Sequence, residues 1–379
     1  MRTHSWIRIG ALAVLAGCGG SNGMGPDGPG VARPDRSEFA VLNSISGTLQ
    51  QFNRIDGEIV PFGRDIQLGA DFRGQTADFI HDLWVTAWDA PEGSKVLFGS
   101  FSTDERTTAV FPNNAIVDPG KPTVVFDVGG AVGALIPARA VDAVYAAFPG
   151  TPMAQLAVEA VGTFVERVIP AGQLLVSVDG NLDDEDGGRA PLGPPRVVLH
   201  EFATGNYLDE LRLPEGMIGV TEAIVLEGNM LLLAGGGVDP VTSDSLEGGN
   251  LLEIDMLARS IQDVNTLGGN GISMEGGRDG LVYVVRTKGG GATETDVLRF
   301  SFAVREWVNG PENPIQPRDR DGSNLSCRVA AGFLDGQILC ATYVTAGPGR
   351  LVLLSAEGEF IHETPIGAGT TDILLRHPN

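Results

Sequence analysis

Histidine is scarce in this chain. Five occur in 379 residues, and no two have the spacing of a metal-ligand pair. The chain has no Gly-x-Ser-x-Gly elbow, no His-Glu-x-x-His pair and no phosphate loop, so no standard catalytic signature is present. Positive charge is in short supply as well. Lys and Arg number 26 against 48 Asp and Glu, a formal net charge of −22. So acidic a chain repels phosphate backbones, which excludes nucleic acid as a partner and argues against a polybasic membrane patch. No apolar run reaches the roughly 20 residues of a membrane-spanning helix. Amphipathic helical periodicity is nearly absent, and the best candidate, Met153 to Val165, contains Gly162 and several β-branched residues. Only three cysteines occur, Cys18, Cys327 and Cys340.

The N-terminus is organised in three parts. Arg2 and Arg8 carry positive charge, Ile7 to Leu15 form a short apolar run, and Leu15-Ala16-Gly17-Cys18 closes it. The run has about half the length of a spanning helix, so it reads as a signal peptide. The closing tetrapeptide resembles the lipobox of bacterial lipoproteins. That resemblance implies diacylglyceryl transfer to the Cys18 thiol, cleavage before it and removal of residues 1–17. A second acyl chain is what makes such an anchor stable. Residues 18–37 then form a lipidated cysteine and a Gly-, Pro-, Ser- and Asp-rich tether with little to bury. By the same resemblance, Gly19 is not the Asp that retains Gram-negative lipoproteins at the inner membrane. The expected address is therefore the outer membrane of a Gram-negative cell envelope.

Residues 38–379 form the body. Gly (53) and Pro (23) make about a fifth of the chain, the composition of many short strands joined by turns. Apolar runs of strand length recur: Phe39-Ala-Val-Leu-Asn, Leu83-Trp-Val-Thr-Ala-Trp, Leu174-Leu-Val-Ser-Val, Met230-Leu-Leu-Leu-Ala, Leu281-Val-Tyr-Val-Val and Gln337-Ile-Leu-Cys-Ala-Thr. Stacking them exposes a repeat. Units start at about Gln75, Val220, Asn270 and Ser326, with a poorer match at Arg139. Their second halves also align, as in Arg196-Val-Val-Leu-His, Asn250-Leu-Leu-Glu-Ile and Val297-Leu-Arg-Phe. The period of about 45–55 residues is that of propeller blades. Thr370-Thr-Asp-Ile-Leu-Leu reads as a first strand with nothing after it, and Phe39-Ala-Val-Leu-Asn as a second strand with nothing before it. Pairing the two closes a ring and removes free sheet edges. The expected fold is an all-β propeller of about seven blades, six being possible because residues 113–175 divide poorly. The runner-up is an Ig-like sandwich over about 38–130 followed by a smaller propeller. The pattern over about 38–376 resembles the surface propellers of the YVTN and NHL type.

Candidate sites follow from this alignment. Asp78, Asp142, Glu222 and Asp372 fall at similar places on four inner strands. Carboxylates converging on one channel mouth repel one another and favour a hard cation such as Ca2+. Lactonase-like propellers use such a site, whereas acids at strand starts also commonly accept turn N–H groups. A second candidate is Asp179, Asn181, Asp183 and Glu185, spaced like the start of a calcium loop. Asp184 occupies the position of the usual glycine and Ala190 that of the closing Glu, so a solvated acidic loop is the favoured alternative. Asp319-Arg-Asp-Gly-Ser-Asn is a weaker cousin. Trp84, Thr86 and Trp88 share a strand face, either stacking on a ligand or filling the space between blades. Cys327 and Cys340 are the pair left for a disulfide, though a tight turn at Leu334-Asp335-Gly336 sets Cys340 opposite about Ala331.

The expected function is a non-enzymatic scaffold at the cell envelope, anchored to the membrane through lipid and binding an envelope protein or a glycan. The alternative is a calcium-dependent propeller hydrolase of lactonase or esterase type. A structural subunit of an envelope assembly is a third reading.

Overall fold

The computed structural model describes residues 37–68, 76–80, 83–101, 103, 105–126, 132–156, 164–180, 182–183, 190–191, 193–214, 217, 220–226, 230–235, 249–287 and 294–376. Among them, helix is confined to two 3-10 turns, Pro112–Asn114 and Arg139–Val141. Seven antiparallel sheets of four or more strands carry the rest, with a two-stranded ladder, Leu182–Asp183 against Ala190–Pro191, beside them.

The sheets are blades, each built from the axis outward. Blade one is Thr370–Leu375, Phe39–Asn43, Thr48–Ile55 and Glu58–Pro61, with Ile66–Gln67 as an added edge. Blade two is Thr76–Ile80, Leu83–Trp88, Lys95–Ser100 and Arg106–Val110; blade three is Thr123–Phe126, Val132–Ala138, Ala143–Ala147 and Ala154–Gln155. Blade four is Val165–Ala171, Leu174–Asp179, Arg196–Glu201 and Tyr207–Arg212; blade five is Val220–Leu226, Met230–Gly235, Asn250–Asp255 and Ser260–Thr266. Blade six is Asn270–Gly276, Leu281–Thr287, Thr295–Ser301 and Glu306–Asn309; blade seven is Val329–Gly332, Ile338–Ala341, Gly349–Leu354 and Phe360–Ile366.

The first strand of each blade neighbours that of the next around the ring. The ring closes as expected, with Thr370–Leu375 antiparallel to Phe39–Asn43. Residues 38–130 hold blades one and two and the start of blade three in place of a sandwich. Ala154–Gln155 is a strand, so the start of the weak helical stretch is extended.

Packing follows from strand alternation. In Leu174–Asp179, Val176 and Val178 face blade five, and Leu175 faces blade three. The buried apolar residues form seven clusters, one at each junction between neighbouring blades. Each fully buried Val, Leu or Phe contributes roughly 1.5–3 kcal/mol, so no single blade holds the fold. Close approach demands glycine at two junction positions. A Cβ at Gly99 would overlap the Trp84 ring, and one at Gly332 the Tyr283 phenol.

One consequence of the topology matters for function. Neighbouring first strands run the same way, as the parallel bridge between Lys121 and Arg167 records. Connections from first to second and from third to fourth strands therefore share one end of the ring. This end carries tight turns such as 172–173, 256–259, 277–280 and 302–305. The opposite end receives the second-to-third connections, of which 342–348 is described throughout.

Candidate functional site: the charged axis

The axis is lined by side chains from the first strands. Three of those strands carry a β-bulge near their start, one residue before Arg167, Glu222 and Asp372. A bulge re-aims the side chain that follows it, and Glu222 and Asp372 meet at the centre. Glu275 reaches the same place from blade six, two residues past Ser273, which follows that blade's own bulge. One carboxylate oxygen from each of these three acids lies within 4.8 Å of the others.

A lysine stands among them. Lys121 Nζ is 2.5 Å from Glu222 Oε2, 3.1 Å from Asp372 Oδ1 and 3.9 Å from Glu275 Oε1. Arg167 Nε lies 3.6 Å from the other oxygen of Glu222. Arg328, just ahead of the blade-seven first strand, lies over the Tyr343 ring at 5.9 Å. The three acids, Lys121 and Arg167 are largely buried, with Asp372 3% exposed, Glu222 9% and Lys121 13%, whereas Arg328 and Tyr343 lie at exposed positions.

Burial and charge compete here. Burial alone would push the Lys121 ammonium down, but Asp372, Glu222 and Glu275 more than reverse this, and its pKa rises. Burial raises Glu222, yet Lys121 and Arg167 outweigh that and hold it below the usual carboxylate range. Glu275 has less help. Burial, reinforced by Asp372 and Glu222 against the pull of Lys121, pushes it up to about 8.

Of the four acids aligned in the sequence, Glu222 and Asp372 reach this cluster. Asp78 sits on the first strand of blade two, opposite Val85, but its side chain lies outside the described residues. Asp142 is a correction. It occupies a left-handed position (φ 46°, ψ 51°) between the second and third strands of blade three, and its Oδ1 accepts the Phe164 N–H at 2.8 Å. The unit that begins at Arg139 is one strand out of step. The true first strand, Thr123–Phe126, has four residues and follows Pro119-Gly-Lys-Pro122, which reads as a loop. Lys121 thus brings a cation to the axis where an acid was expected. Glu275 was missed because the residue that follows the blade-six bulge, in the place of Glu222, is Ser273, and Glu275 lies two residues further on.

The other candidates lie away from the axis. Asp179 is fully buried and faces Arg196, Nε to Oδ2 3.4 Å, so the first carboxylate of the supposed calcium loop is neutralised within the sheet. Asp183 lies on the short ladder, with its side chain outside the described residues, as are Asn181 and Glu185 altogether. Asp319 is held by two 2.7 Å bonds from Arg350, which hold its carboxyl down at about 2. Trp84, Thr86 and Trp88 are buried, and the two rings pack between blades one and two.

Cys327 and Cys340 form a disulfide, with Cα atoms 5.4 Å apart. Cys340 faces Ala330, one residue from the position a tight turn implied, and Cys327 lies just ahead of the strand. Ser177 Oγ stands 3.4 Å from His200 Nε2, a pairing suggestive of a nucleophile and its base. Both residues are sealed in the sheet, and burial pushes His200 down to about 4, so no substrate reaches this pair.

Fold and axis together define a seven-bladed β-propeller, among the described residues, whose central carboxylates are neutralised from within. No family model and no curated protein matches the chain. Solved structures do resemble it. A candidate 6-phosphogluconolactonase of Bacteroides fragilis superposes with a TM-score of 0.56 at 11% identity, over 91% of this chain and 99% of that one. A second, from Bacteroides uniformis, gives 0.57 at 9% identity, over 89% and 99%. At such identity the likeness concerns the fold.

Proposed function

We propose that this protein is an exported scaffold, anchored by lipid on Cys18, that holds the second-to-third-strand end of its propeller away from the membrane to bind an envelope protein or a glycan. One observation carries the orientation. The chain enters the ring at the short-turn end, where Glu38 is gripped by Arg278 of the blade-six turn: Nη1 to Oε1 is 2.6 Å and Nη2 to the Glu38 carbonyl 2.7 Å. A Gly-rich tether as long as residues 18–37 would have a root-mean-square span of roughly 25 Å. The short-turn end then stays close to the lipid, and the longer connections, where loop variation builds recognition surfaces, face outward. The Cys327–Cys340 disulfide supports an oxidising compartment. The cation already seated among the axial carboxylates weighs against calcium-dependent hydrolysis at that place.

Two measurements test this. Labelled palmitate should enter the full chain and be lost on Cys18→Ala. In proteoliposomes bearing the lipidated protein, a maleimide reagent should react several-fold faster with Tyr343→Cys, at the outward end, than with Leu257→Cys, at a short turn. The difference should vanish in detergent. Equal rates in liposomes would overturn the orientation, and calcium-dependent turnover of a lactone or ester panel would overturn the scaffold reading.

A further inference from the structure

Three buried carboxyl groups within one small volume are costly. Mutual repulsion and lost hydration both disfavour their charges, and the usual remedies are proton uptake or a bound hard cation. Glu222, Glu275 and Asp372 come from blades five, six and one, so they meet only when the ring closes. The cation they surround is covalently part of the chain. Lys121 enters from blade three, its ammonium touches Glu222 and Asp372, and Glu275 lies just beyond.

We propose that Lys121 is a built-in cation occupying the position of a divalent metal ion, so that the native axis takes no calcium and shortening this one side chain uncovers a divalent-cation site formed by Glu222, Glu275 and Asp372. The stoichiometry agrees with a single-charge occupant. One ammonium replaces one of the two charges a divalent ion would supply, and Arg167 supports Glu222 from its far side. The ammonium has a geometric advantage as well. It needs few partners, two of its N–H groups reaching Glu222 Oε2 and Asp372 Oδ1, whereas calcium prefers six to eight oxygen ligands. With Lys121 truncated, the vacated space admits the ion and water to complete that shell. Carboxylates from three blades would then grip calcium in place of the lysine. This inference rests on the axis alone, so its failure leaves the lipid anchor and orientation untouched.

The test compares full-length wild type, Lys121→Ala and Lys121→Met in calcium and in EGTA, by thermal melting and calorimetric titration. Wild type should melt at the same temperature in both. Lys121→Ala should melt lower in EGTA, recover by several degrees in calcium and titrate with one ion per chain, at a Kd of about 10⁻⁵–10⁻³ M. Adding Glu222→Gln should abolish that recovery. Lys121→Met, whose apolar stem still fills the space, should be destabilised without recovery. Should Lys121→Ala fail to fold in EGTA, circular dichroism in calcium decides: regained strand signal supports the proposal, and no regain overturns it. Calcium-dependent stabilisation of the wild type that Glu222→Gln removes would also overturn it.

Discussion

The junctions between blades and the axis that the blades surround are both buried, and both hold the ring together by opposite means. At the junctions, apolar side chains from adjacent sheets interleave, as Trp84 and Trp88 do between blades one and two. At the axis, ionisable groups from several blades meet. The first arrangement is indifferent to pH. The second depends on protonation and joins strands far apart in the chain. Dry packing thus supplies the stability, while the charged centre makes it conditional on all its members being present together. A buried ion pair adds little over an apolar replacement, yet removing one partner alone is strongly destabilising.

The largest expected effects compare the two directly. Trp84→Ala should cost about 3–5 kcal/mol by opening a cavity, and Lys121→Met a comparable about 3–4 kcal/mol by stranding buried carboxylates. Denaturant melts at pH 5 and pH 7 separate them. The Trp84→Ala loss should stay constant. The Lys121→Met loss should shrink at pH 5, where the stranded acids take up protons. Equal pH responses would erase the distinction between the two regions.

Next in size is the disulfide. Replacing Cys327 and Cys340 by serine should lower stability by about 3 kcal/mol, the value for a closed loop of this length, measurable as a lower denaturant midpoint. Opening this bond tests whether blade seven depends on the covalent link or on its junction packing.

The wild-type pH profile comes third. His200 has a folded pKa lowered from 6.5 to about 4 by burial, so the unfolded chain takes up a proton that the folded chain resists. The His200 contribution should fall as pH drops from 6.5 toward 4, by about 2–3 kcal/mol, and His200→Gln should remove it. Glu275 acts in the opposite sense. Its folded pKa is raised from 4.5 to about 8, so the folded state keeps a proton that the unfolded state has released. Its contribution is full below pH 4.5 and disappears as pH rises through 8. The two slopes cancel between about pH 4.5 and 6.5, so stability should be level there and fall on either side, and Glu275→Gln should flatten the alkaline limb.

The smallest effect belongs to the surface. Arg54 and Asp335 pair at 2.7 Å between blades one and seven, but Asp335 is half exposed. Asp335→Asn should cost less than about 1 kcal/mol, and less still in high salt.

Much of the fold was legible because strands and turns are local. Leu281-Val-Tyr-Val-Val between Gly280 and the following polar residues announces a strand from composition alone, and the lone strands at the two ends of the body announce closure. The axis was legible in half. Glu222 and Asp372 sit at regular unit starts, whereas Asp142 imitates one because Ala143-Val-Tyr-Ala-Ala follows it like a second strand. Lys121 is hidden between Gly120 and Pro122, and Arg167 carries the charge opposite to that of the aligned acids. Cys340 landed one residue from the expected register because the first strand of blade seven begins only at Val329, beyond Cys327.

By itself, then, the sequence determined the strand alphabet, the repeat, the ring and the acidic surface, since each depends on neighbouring residues or on summed composition. Only the tertiary structure decided what stands at the centre. The axial side chains come from strands about fifty to 250 residues apart, and a one-residue bulge turns a side chain from one face of its strand to the other. Which charges meet is therefore set by register, and register is settled only when every blade has packed against its neighbours.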